Sequence, residues 1–239
     1  MRVFPDSSNN NSRGVKLKNK TIKTLDEEDD HIVHGGDLKT IEDYIQLGVP
    51  RQIAMMKHPL EHPWAFWYFK NDKSISWERN QQNVATVDTI EDFWNVYNYI
   101  EPAIRLREGC DYSVFKKGIM PDWEDFQNMS GGRWIINSER PARSELLDNY
   151  CLETLFILIG EHASEYANMV NGAVCNIRHK GDKVAVWIRE AHNMSGVMKI
   201  GKLVKTRLGV AGKINFSVHR EDSGRTRFGS QNSPSKIFV

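Results

Sequence analysis

The 239-residue sequence is poor in cysteine and contains no long hydrophobic run. Its three cysteines, Cys110, Cys151 and Cys175, are odd in number and lack the paired spacing of metal ligands, so they indicate neither a disulfide framework nor a zinc site. Such cysteine usage is typical of a reducing compartment. No stretch approaches the roughly 20 apolar residues that span a bilayer, and the first residues lack the apolar core of a signal peptide. We therefore expect a soluble, intracellular protein.

An excess of positive charge is also absent. The 32 Lys and Arg residues balance 31 Asp and Glu residues, which leaves a formal net charge of +1. A protein that coats nucleic acid through a general positive field carries a clear basic excess. The composition therefore excludes that class, and a nucleic-acid ligand would require a local cluster of cations.

The motifs of common hydrolases are missing as well. The sequence contains no GxxxxGK[ST], HExxH or GxSxG pattern, and its eight histidines are scattered. A nucleotide hydrolase needs metal-binding carboxylates or an activated nucleophile. We expect a binding protein rather than an enzyme, with no cofactor and no metal.

Aromatic residues are abundant, with seven Trp, seven Tyr and ten Phe. Most of them lie after the N-terminal region. Residues 1–57 form that region, and their polar, biased composition predicts a mostly disordered tail. One short helix is predicted within this tail, over 37–47, because Leu38, Ile41 and Ile45 share a helical face. The apolar density rises from His58 onward, so the folded domain is predicted to span 58–239.

Short β-rich runs outnumber helical patterns in this domain, and the two do not alternate as βαβ units. Three helices are predicted: one after Thr89 that ends before Pro102, one from about Ser144 to Gly160, and one from about Gly196 to Leu208. The pattern predicts an α+β fold, an antiparallel sheet with helices gathered on one face. The predicted strands are Trp64–Phe69, Ile75–Arg79, Ala85–Asp88, Asp111–Phe115, Arg133–Ile136, Ala173–His179, Lys183–Arg189, Lys213–Val218 and a last edge at Ile237–Val239.

A basic hairpin is predicted over 176–187, with Gly181-Asp182 as a two-residue turn. Residues that lie opposite each other across a hairpin share a face of the sheet. One face would then carry a tryptophan, Trp187, beside three cations, Arg178, Lys180 and Lys183. Such a cluster of cations suits phosphate groups. A merely solvated basic face is the alternative. The predicted pairs are Lys180 with Lys183, Arg178 with Ala185, and Asn176 with Trp187.

Two further tryptophans stand where a core residue is not expected. Trp123 is flanked by acids and a proline in PDWED, and Trp77 lies between Ser76 and Glu78. One interpretation of each is an exposed-loop tryptophan whose side chain folds back onto the core. Together with the cationic face, they also fit two indoles that sandwich a flat ring, with a carboxylate at its edge and cations on its phosphates.

The sequence from His58 to about Lys213 strongly resembles the eukaryotic translation initiation factor 4E family, which binds the messenger RNA cap. The matching stretches occur in the family's order over most of the folded domain, whereas the residues before His58 show no match. These stretches are HPLEHPWAFWYFKNDKSISW, DTIEDFWNVYN, GCDYSVFK, PDWED, GGRW, LETLFILIGE and RHKGDKVAVW.

The resemblance implies a single curved sheet with about three helices on its convex face and a slot for the 7-methylguanosine cap on its concave face. Trp77 and Trp123 would stack on both faces of the base, whose N7 methylation adds a cation–π contribution. Glu124 would accept hydrogen bonds from the guanine N1 and N2 groups. The other residues of the implied cap site, which would hold the triphosphate bridge and the N7 methyl group, are Arg133, Arg178, Lys180, Lys183 and Trp187.

A second implied surface lies on the helices. The helix after Ser144 is apolar on two sides, so it is either buried or covered by a partner, and a helix pair packed in the core is the alternative. In the family this is a dorsal groove for a tyrosine- and leucine-bearing helix of scaffold or inhibitor proteins. The implied groove residues are His58, Pro59, Ile90, Trp94, Leu152, Glu153 and Phe156.

Two positions depart from the family's usual residues, and a third matches a regulatory position. Cys151 stands where many members have tryptophan, and Phe156 replaces a commonly aliphatic residue. Ser230 aligns with a regulatory phosphorylation serine. The resemblance implies a monomer that binds capped messenger RNA in the cytoplasm, with the nucleus as an additional location. A cap-binding repressor that does not recruit the scaffold is the alternative, although Trp77 favours the initiation type.

Overall fold

The computed structural model of the chain describes residues 56–138, 145–219 and 237–239, together with positions 46, 48, 50 and 51. The predicted N-terminal tail and its helix over 37–47 therefore lie almost entirely outside the described residues, and so does Ser230. None of the described helices is both long enough and apolar enough to cross a membrane.

The described residues form one eight-stranded sheet in which each pair of neighbouring strands is antiparallel. The strand order is β2-β1-β3-β5-β6-β4-β7-β8. In chain order the strands are β1 (Pro59–Phe69), β2 (Gln81–Thr89), β3 (Asp111–Lys116), β4 (Gly132–Ser138), β5 (Val170–Asn176), β6 (Asp182–Ile188), β7 (Asn215–Val218) and β8 (Ile237–Phe238).

Four α-helices connect the strands. Thr89 begins the second helix as predicted, because its hydroxyl accepts a hydrogen bond from the backbone N–H of Asp92 at 3.2 Å. Asn193 caps the fourth helix through a hydrogen bond from Gly196. The helices are α1 (Trp77–Asn80), α2 (Ile90–Tyr99), α3 (Glu145–Ile159) and α4 (Met194–Arg207), and short 3-10 helices cover Ala103–Arg105 and Ser164–Met169.

The two faces of the sheet differ in what covers them. On the face that we call the helix face, Trp134 of β4 and Val186 of β6 belong to one buried core with Phe93 of α2, Leu158 of α3 and Ile200 of α4. Side chains that alternate with these form a smaller cluster on the opposite face, which we call the open face. The prediction of an antiparallel sheet with helices gathered on one face is confirmed.

The open-face cluster is built around Phe115 and Trp187. Trp64 and Trp134, both predicted as core residues, are fully buried on the helix face. Trp67, also predicted as core, is only half-buried. The sequence therefore identified Trp64 and Trp134 correctly as core residues.

Candidate functional site

Trp77 is held at the start of α1, in the connection between β1 and β2. Its side chain remains 42% exposed, and its ring centroid lies 6.3 Å from that of Phe69, the last residue of β1. The indole is therefore displayed at the end of β1 rather than packed into the core.

The local structure around Trp77 corrects one prediction. The strand predicted over Ile75–Arg79 is a turn followed by α1. The side chain of Asn80 donates to the carbonyls of Asp72 at 2.8 Å and of Ser76 at 3.1 Å, and the Asp72 N–H donates to Asn80 Oδ1 at 2.6 Å. Asx side chains that bind nearby backbone groups in this way favour turns over strand ladders. The periodicity of the apolar residues could not reveal this competition.

Trp123 lies in the connection between β3 and β4, as its flanking acids and proline predict, and is 43% exposed. This loop is organised by Asn128, whose side chain is completely buried. Asn128 Nδ2 donates to the carbonyls of Met120 at 2.9 Å and Asp122 at 2.8 Å. Its Oδ1 accepts from the buried side chain of Asn171 in β5 at 2.9 Å. A buried polar pair thus clamps the loop to the sheet, and no local sequence pattern predicts it.

Asp125 completes the organisation of the same loop. Its carboxylate accepts hydrogen bonds from the backbone N–H groups of Met120 at 2.9 Å and Gln127 at 2.8 Å. These bonds satisfy backbone groups locally and leave Trp123, Glu124 and Phe126 exposed on the loop. Phe126 is the extreme case, because 81% of its side chain is exposed.

Trp187 lies in the open-face cluster and is only 5% exposed. Its ring packs edge-on against Phe115, with centroids 5.4 Å apart, and lies 4.2 Å from the ring of His219. Arg133, its cross-strand neighbour in β4, places its guanidinium carbon 5.7 Å from the indole centroid. Arg133 and Trp187 are therefore brought together, as a cation over an aromatic ring.

The hairpin between β5 and β6 does not have the predicted register. Lys183 pairs with Asn176, whereas Trp187 was the predicted partner of Asn176 and Lys180 the predicted partner of Lys183. This is a shift of four residues. Because four is an even number, Lys183 and Trp187 still lie on the face that the sequence predicted.

The physical reason for the shift is the side chain of Asp182. This buried carboxylate accepts a hydrogen bond from the backbone N–H of Arg178 at 2.9 Å, which closes a loop over 177–181 in place of a two-residue turn. Gly181, with φ of +145°, occupies a conformation that favours glycine. Arg178 and Lys180 therefore lie on this loop and not on the strand.

Arg178 is half-buried and forms an ion pair with Asp111, the first residue of β3. Its Nη2 donates to Asp111 Oδ2 at 2.9 Å, and its Nη1 donates to the second carboxylate oxygen. This bidentate geometry fixes the orientation of the guanidinium plane, and the hydrogen bond to Asp111 raises the pKa of Arg178. Asp111 was not among the predicted site residues, because the pairing of β3 with β5 cannot be read from local sequence.

The sheet register relates these groups to one another. Phe69, Asp111, Asn176 and Lys183 are successive cross-strand partners in β1, β3, β5 and β6. A second row, four residues along β6, contains Phe115, Gly172, Trp187 and Arg133. The rows are about 13 Å apart along the strand. Lys183 therefore lies in the same row as Asp111, the partner of Arg178, and Trp187 lies beside Arg133.

The connections that carry Trp77 and Trp123 leave the sheet at different ends. The connection that carries Trp77 leaves the end of β1, which pairs with the beginning of β3, while the connection that carries Trp123 leaves the end of β3. Within the described residues the two rings make no contact with each other. Their roles, and that of the exposed Glu124 beside Trp123, remain predictions.

The predicted groove lies on α2 and α3. Trp94 is half-buried, and its ring lies 5.2 Å from that of Phe93 and 5.9 Å from that of Phe156 on α3. Ile90 is 43% exposed at the start of α2, and its N–H donates to the carbonyl of His58 at 2.9 Å. These contacts join β1, α2 and α3 into one apolar surface, which we call the dorsal groove.

The two apolar rows of α3 serve different purposes. Leu147, Leu155 and Leu158 are buried against the sheet, while Leu152 and Phe156 remain half-buried on the other side. The remaining groove residues carry charge or lie at the rim. Glu153 Oε2 lies 3.4 Å from Nη2 of Arg207 on α4, and His58 Nδ1 lies 2.7 Å from Oε1 of Glu91 on α2. Pro59 is exposed at the start of β1.

Comparison with known proteins identifies the family. The sequence model of the family described as eukaryotic initiation factor 4E matches residues 59–233. Eukaryotic translation initiation factor 4E of Aplysia californica is 48% identical over 179 residues, which cover 74% of this chain and 83% of that protein. The human factor of the same name is 47% identical over 175 residues, which cover 73% and 81%.

Solved structures show the same similarity. The complex of Ascaris suum eIF4E-3 with the m7G cap matches with a TM-score of 0.71 and 41% identity, and covers 77% of this chain and 98% of that one. The schistosome eIF4E complexed with m7GpppA and 4E-BP matches with a TM-score of 0.69 and 34% identity, and covers 77% and 100%. The resemblance expected from the sequence is confirmed: the chain belongs to the eukaryotic initiation factor 4E family.

Proposed function

We propose that this chain binds the 7-methylguanosine 5′ cap of messenger RNA and recruits a translation initiation scaffold through the dorsal groove. The observation that carries the proposal is the exposure of two tryptophans. Of the seven in the chain, Trp77 and Trp123 alone are exposed, at 42% and 43%, while the other five are buried or half-buried. Indole rings displayed on organised loops are suited to stack on a base.

The chemistry of the exposed residues supports a methylated guanine. Methylation at N7 makes the base cationic, so stacking on indoles gains a cation–π contribution of about 2 kcal/mol in a desolvated site. The exposed carboxylate of Glu124 is an acceptor for the N1 and N2 donors of guanine, a pattern that adenine lacks. The relatives from Ascaris suum and the schistosome were solved with m7G-type caps.

Three cations would neutralise the triphosphate bridge. Lys180 and Lys183 are exposed, and Arg178 is oriented by Asp111. A guanidinium has five N–H donors, so those of Arg178 that do not bind Asp111 would contact phosphate oxygens, while the lysines act as mobile point charges. Arg133 would support the bridge from the neighbouring strand, and Trp187 would pack near the N7 methyl group. This local cluster accounts for nucleic-acid binding by a chain whose net charge is only +1.

A cap-affinity resin tests the proposal. The full chain should be retained on immobilised 7-methylguanosine triphosphate and eluted by free 7-methylguanosine triphosphate. Unmethylated guanosine triphosphate should compete roughly thirtyfold less well, which corresponds to the loss of about 2 kcal/mol. Equal elution by the two nucleotides would contradict a site built on the positive charge of the base.

Scaffold recruitment is distinguished from cap-binding repression by a second measurement. The half-buried Trp94, Leu152 and Phe156 suit an amphipathic helix that carries a tyrosine and downstream leucines. We expect a scaffold peptide of this type to bind the cap-loaded chain. Cap binding without scaffold binding would instead support the repressor alternative.

We further propose that the chain acts as a monomer in the cytoplasm, with the nucleus as an additional location. Its relatives, which are named as translation initiation factors, support this assignment. Size-exclusion chromatography and imaging of the tagged full-length chain test the two statements separately.

A further inference from the structure

Two cysteine thiols from different elements meet beneath the dorsal groove. Cys151 on α3 and Cys175 on β5 place their Sγ atoms 2.8 Å apart, although they are 24 residues apart in sequence. Both are free cysteines. A disulfide bond is about 2.05 Å long, so the two sulfurs need to approach by only about 0.8 Å to be joined.

The two thiols also line a cavity between the helices and the sheet. Its volume is about 170 Å³, and its wall includes Tyr112, Asp148 and Thr154 as well as both cysteines. One water molecule needs roughly 10–15 Å³ of such space, so a small polar molecule can be accommodated. Cys151 is half-buried, whereas Cys175 is buried. A small oxidant therefore reaches Cys151 first.

We propose that Cys151 and Cys175 form an oxidisable dithiol, a modification site at which hydrogen peroxide converts the two thiols into an intramolecular disulfide that joins α3 to the sheet. The proposal is independent of the proposed function. Neither cysteine belongs to the predicted cap site or to the dorsal groove, and the modification can be measured without a ligand.

The reaction balances as two steps. The Cys151 thiol releases its proton, and the thiolate attacks one peroxide oxygen. The O–O bond breaks, the chain gains a sulfenic acid, and the departing hydroxide takes up that proton to become the first water. The Cys175 sulfur then attacks the Cys151 sulfur, the S–OH bond breaks, the S–S bond forms, and the hydroxyl departs with the Cys175 proton as the second water. Two thiols are oxidised, and one peroxide is reduced to two waters.

The surroundings assign the two roles. The hydrogen bond with Cys151 and the burial of the side chain both raise the pKa of Cys175, so this buried thiol is the weaker nucleophile toward peroxide, and the half-buried Cys151 is oxidised first. The third cysteine is placed differently. Cys110 accepts a hydrogen bond from the Tyr68 hydroxyl at 3.3 Å and donates one to the Lys70 carbonyl at 3.1 Å, and burial raises its pKa. It is therefore the internal control.

Peroxide treatment of the purified full chain tests the proposal. Two of the three thiols should be lost, and peptide mapping under non-reducing conditions should join the peptide that contains Cys151 to the one that contains Cys175. Dithiothreitol should restore both thiols. The oxidised chain should melt several degrees higher than the reduced one, because the crosslink restricts the unfolded chain.

Matched variants complete the experiment. Cys110→Ser should form the same crosslink, while Cys151→Ser and Cys175→Ser should form none. Three results would overturn the proposal: a wild-type chain that keeps all its thiols, a Cys151 that proceeds to sulfinic acid without a crosslink, or a disulfide between two chains. Because the wild-type measurement decides by itself, misfolding of a variant does not leave the question open.

Discussion

The guanidinium of Arg178 is held by the carboxylate of Asp111 through two parallel hydrogen bonds across the ends of β5 and β3. One of the three predicted phosphate-binding cations is therefore positioned before any ligand arrives. The exposed Lys180 and Lys183, in contrast, have the conformational freedom of solvated side chains. This difference separates the expected effects of substituting them.

Arg178→Lys should weaken both the fold and cap binding, because an ammonium group cannot reproduce the planar fork. We expect a loss of about 1 kcal/mol or less in the free energy of unfolding, since the Arg178 side chain is 41% exposed and water screens the pair. The affinity for 7-methylguanosine triphosphate should fall about tenfold. Urea denaturation and fluorescence titration measure the two effects. Lys199→Ala, which removes the exposed pair with Glu165, is the control and should change neither.

Trp123→Ala should abolish retention on the cap resin while the chain stays folded. The indole is exposed, so its removal leaves no cavity in the core. Phe126→Ala is the matched control, because Phe126 lies on the same loop and is more exposed, at 81%. Undiminished retention of the Trp123 variant, or equal loss in both variants, would contradict the stacking role.

Replacing Lys180 and Lys183 together by alanine should lower cap affinity and flatten its dependence on salt. Each phosphate contact contributes a slope of about 0.7 to the logarithmic salt dependence for single-stranded ligands. Titrations at several salt concentrations provide the measurement. Lys202→Ala, an exposed cation on α4, serves as the control, and an unchanged slope in the double variant would exclude phosphate contact.

Trp94→Ala should remove binding of a tyrosine-bearing scaffold peptide and leave cap binding intact. Its ring contacts Phe93, Tyr97 and Phe156 on the helix face, away from the open face. Tyr99→Ala, exposed on the same helix, is the comparison variant. Isothermal titration with peptide and with cap analogue separates the two activities, and parallel loss of both would refute the existence of two surfaces.

Asn128→Ala should destabilise the fold by about 2 kcal/mol, because it removes three hydrogen bonds of one completely buried side chain, two to the carbonyls of Met120 and Asp122 and one from the Asn171 amide. Chemical denaturation gives the free energy of unfolding. Asn95→Ala, at an exposed position of α2, should stay within about 0.5 kcal/mol of the parent. A similarly small change for Asn128 would mean that water replaces the lost bonds.

The sequence predicted the features that depend on neighbouring residues, namely strand positions, the faces of strands and the start of a helix. The β-rich runs located the described strands and the face that carries Lys183 and Trp187, although the run over Ile75–Arg79 is a turn and α1. The capping box located the start of α2. It did not predict contacts between distant segments, such as Arg178 with Asp111 or Asn128 with Asn171. The hairpin register was wrong because a buried Asp182 carboxylate, whose partner is a backbone N–H four residues earlier, lengthened the turn.

The clamp between Asn128 and Asn171 also bears on how fast a ligand can bind. The loop that carries Trp123 loses its conformational entropy when the chain folds, not when the ligand arrives. Encounter with a cap is then limited by diffusion and orientation and does not wait for this loop to become ordered. Differences in affinity between one cap and another should accordingly appear in the lifetime of the complex rather than in its rate of formation.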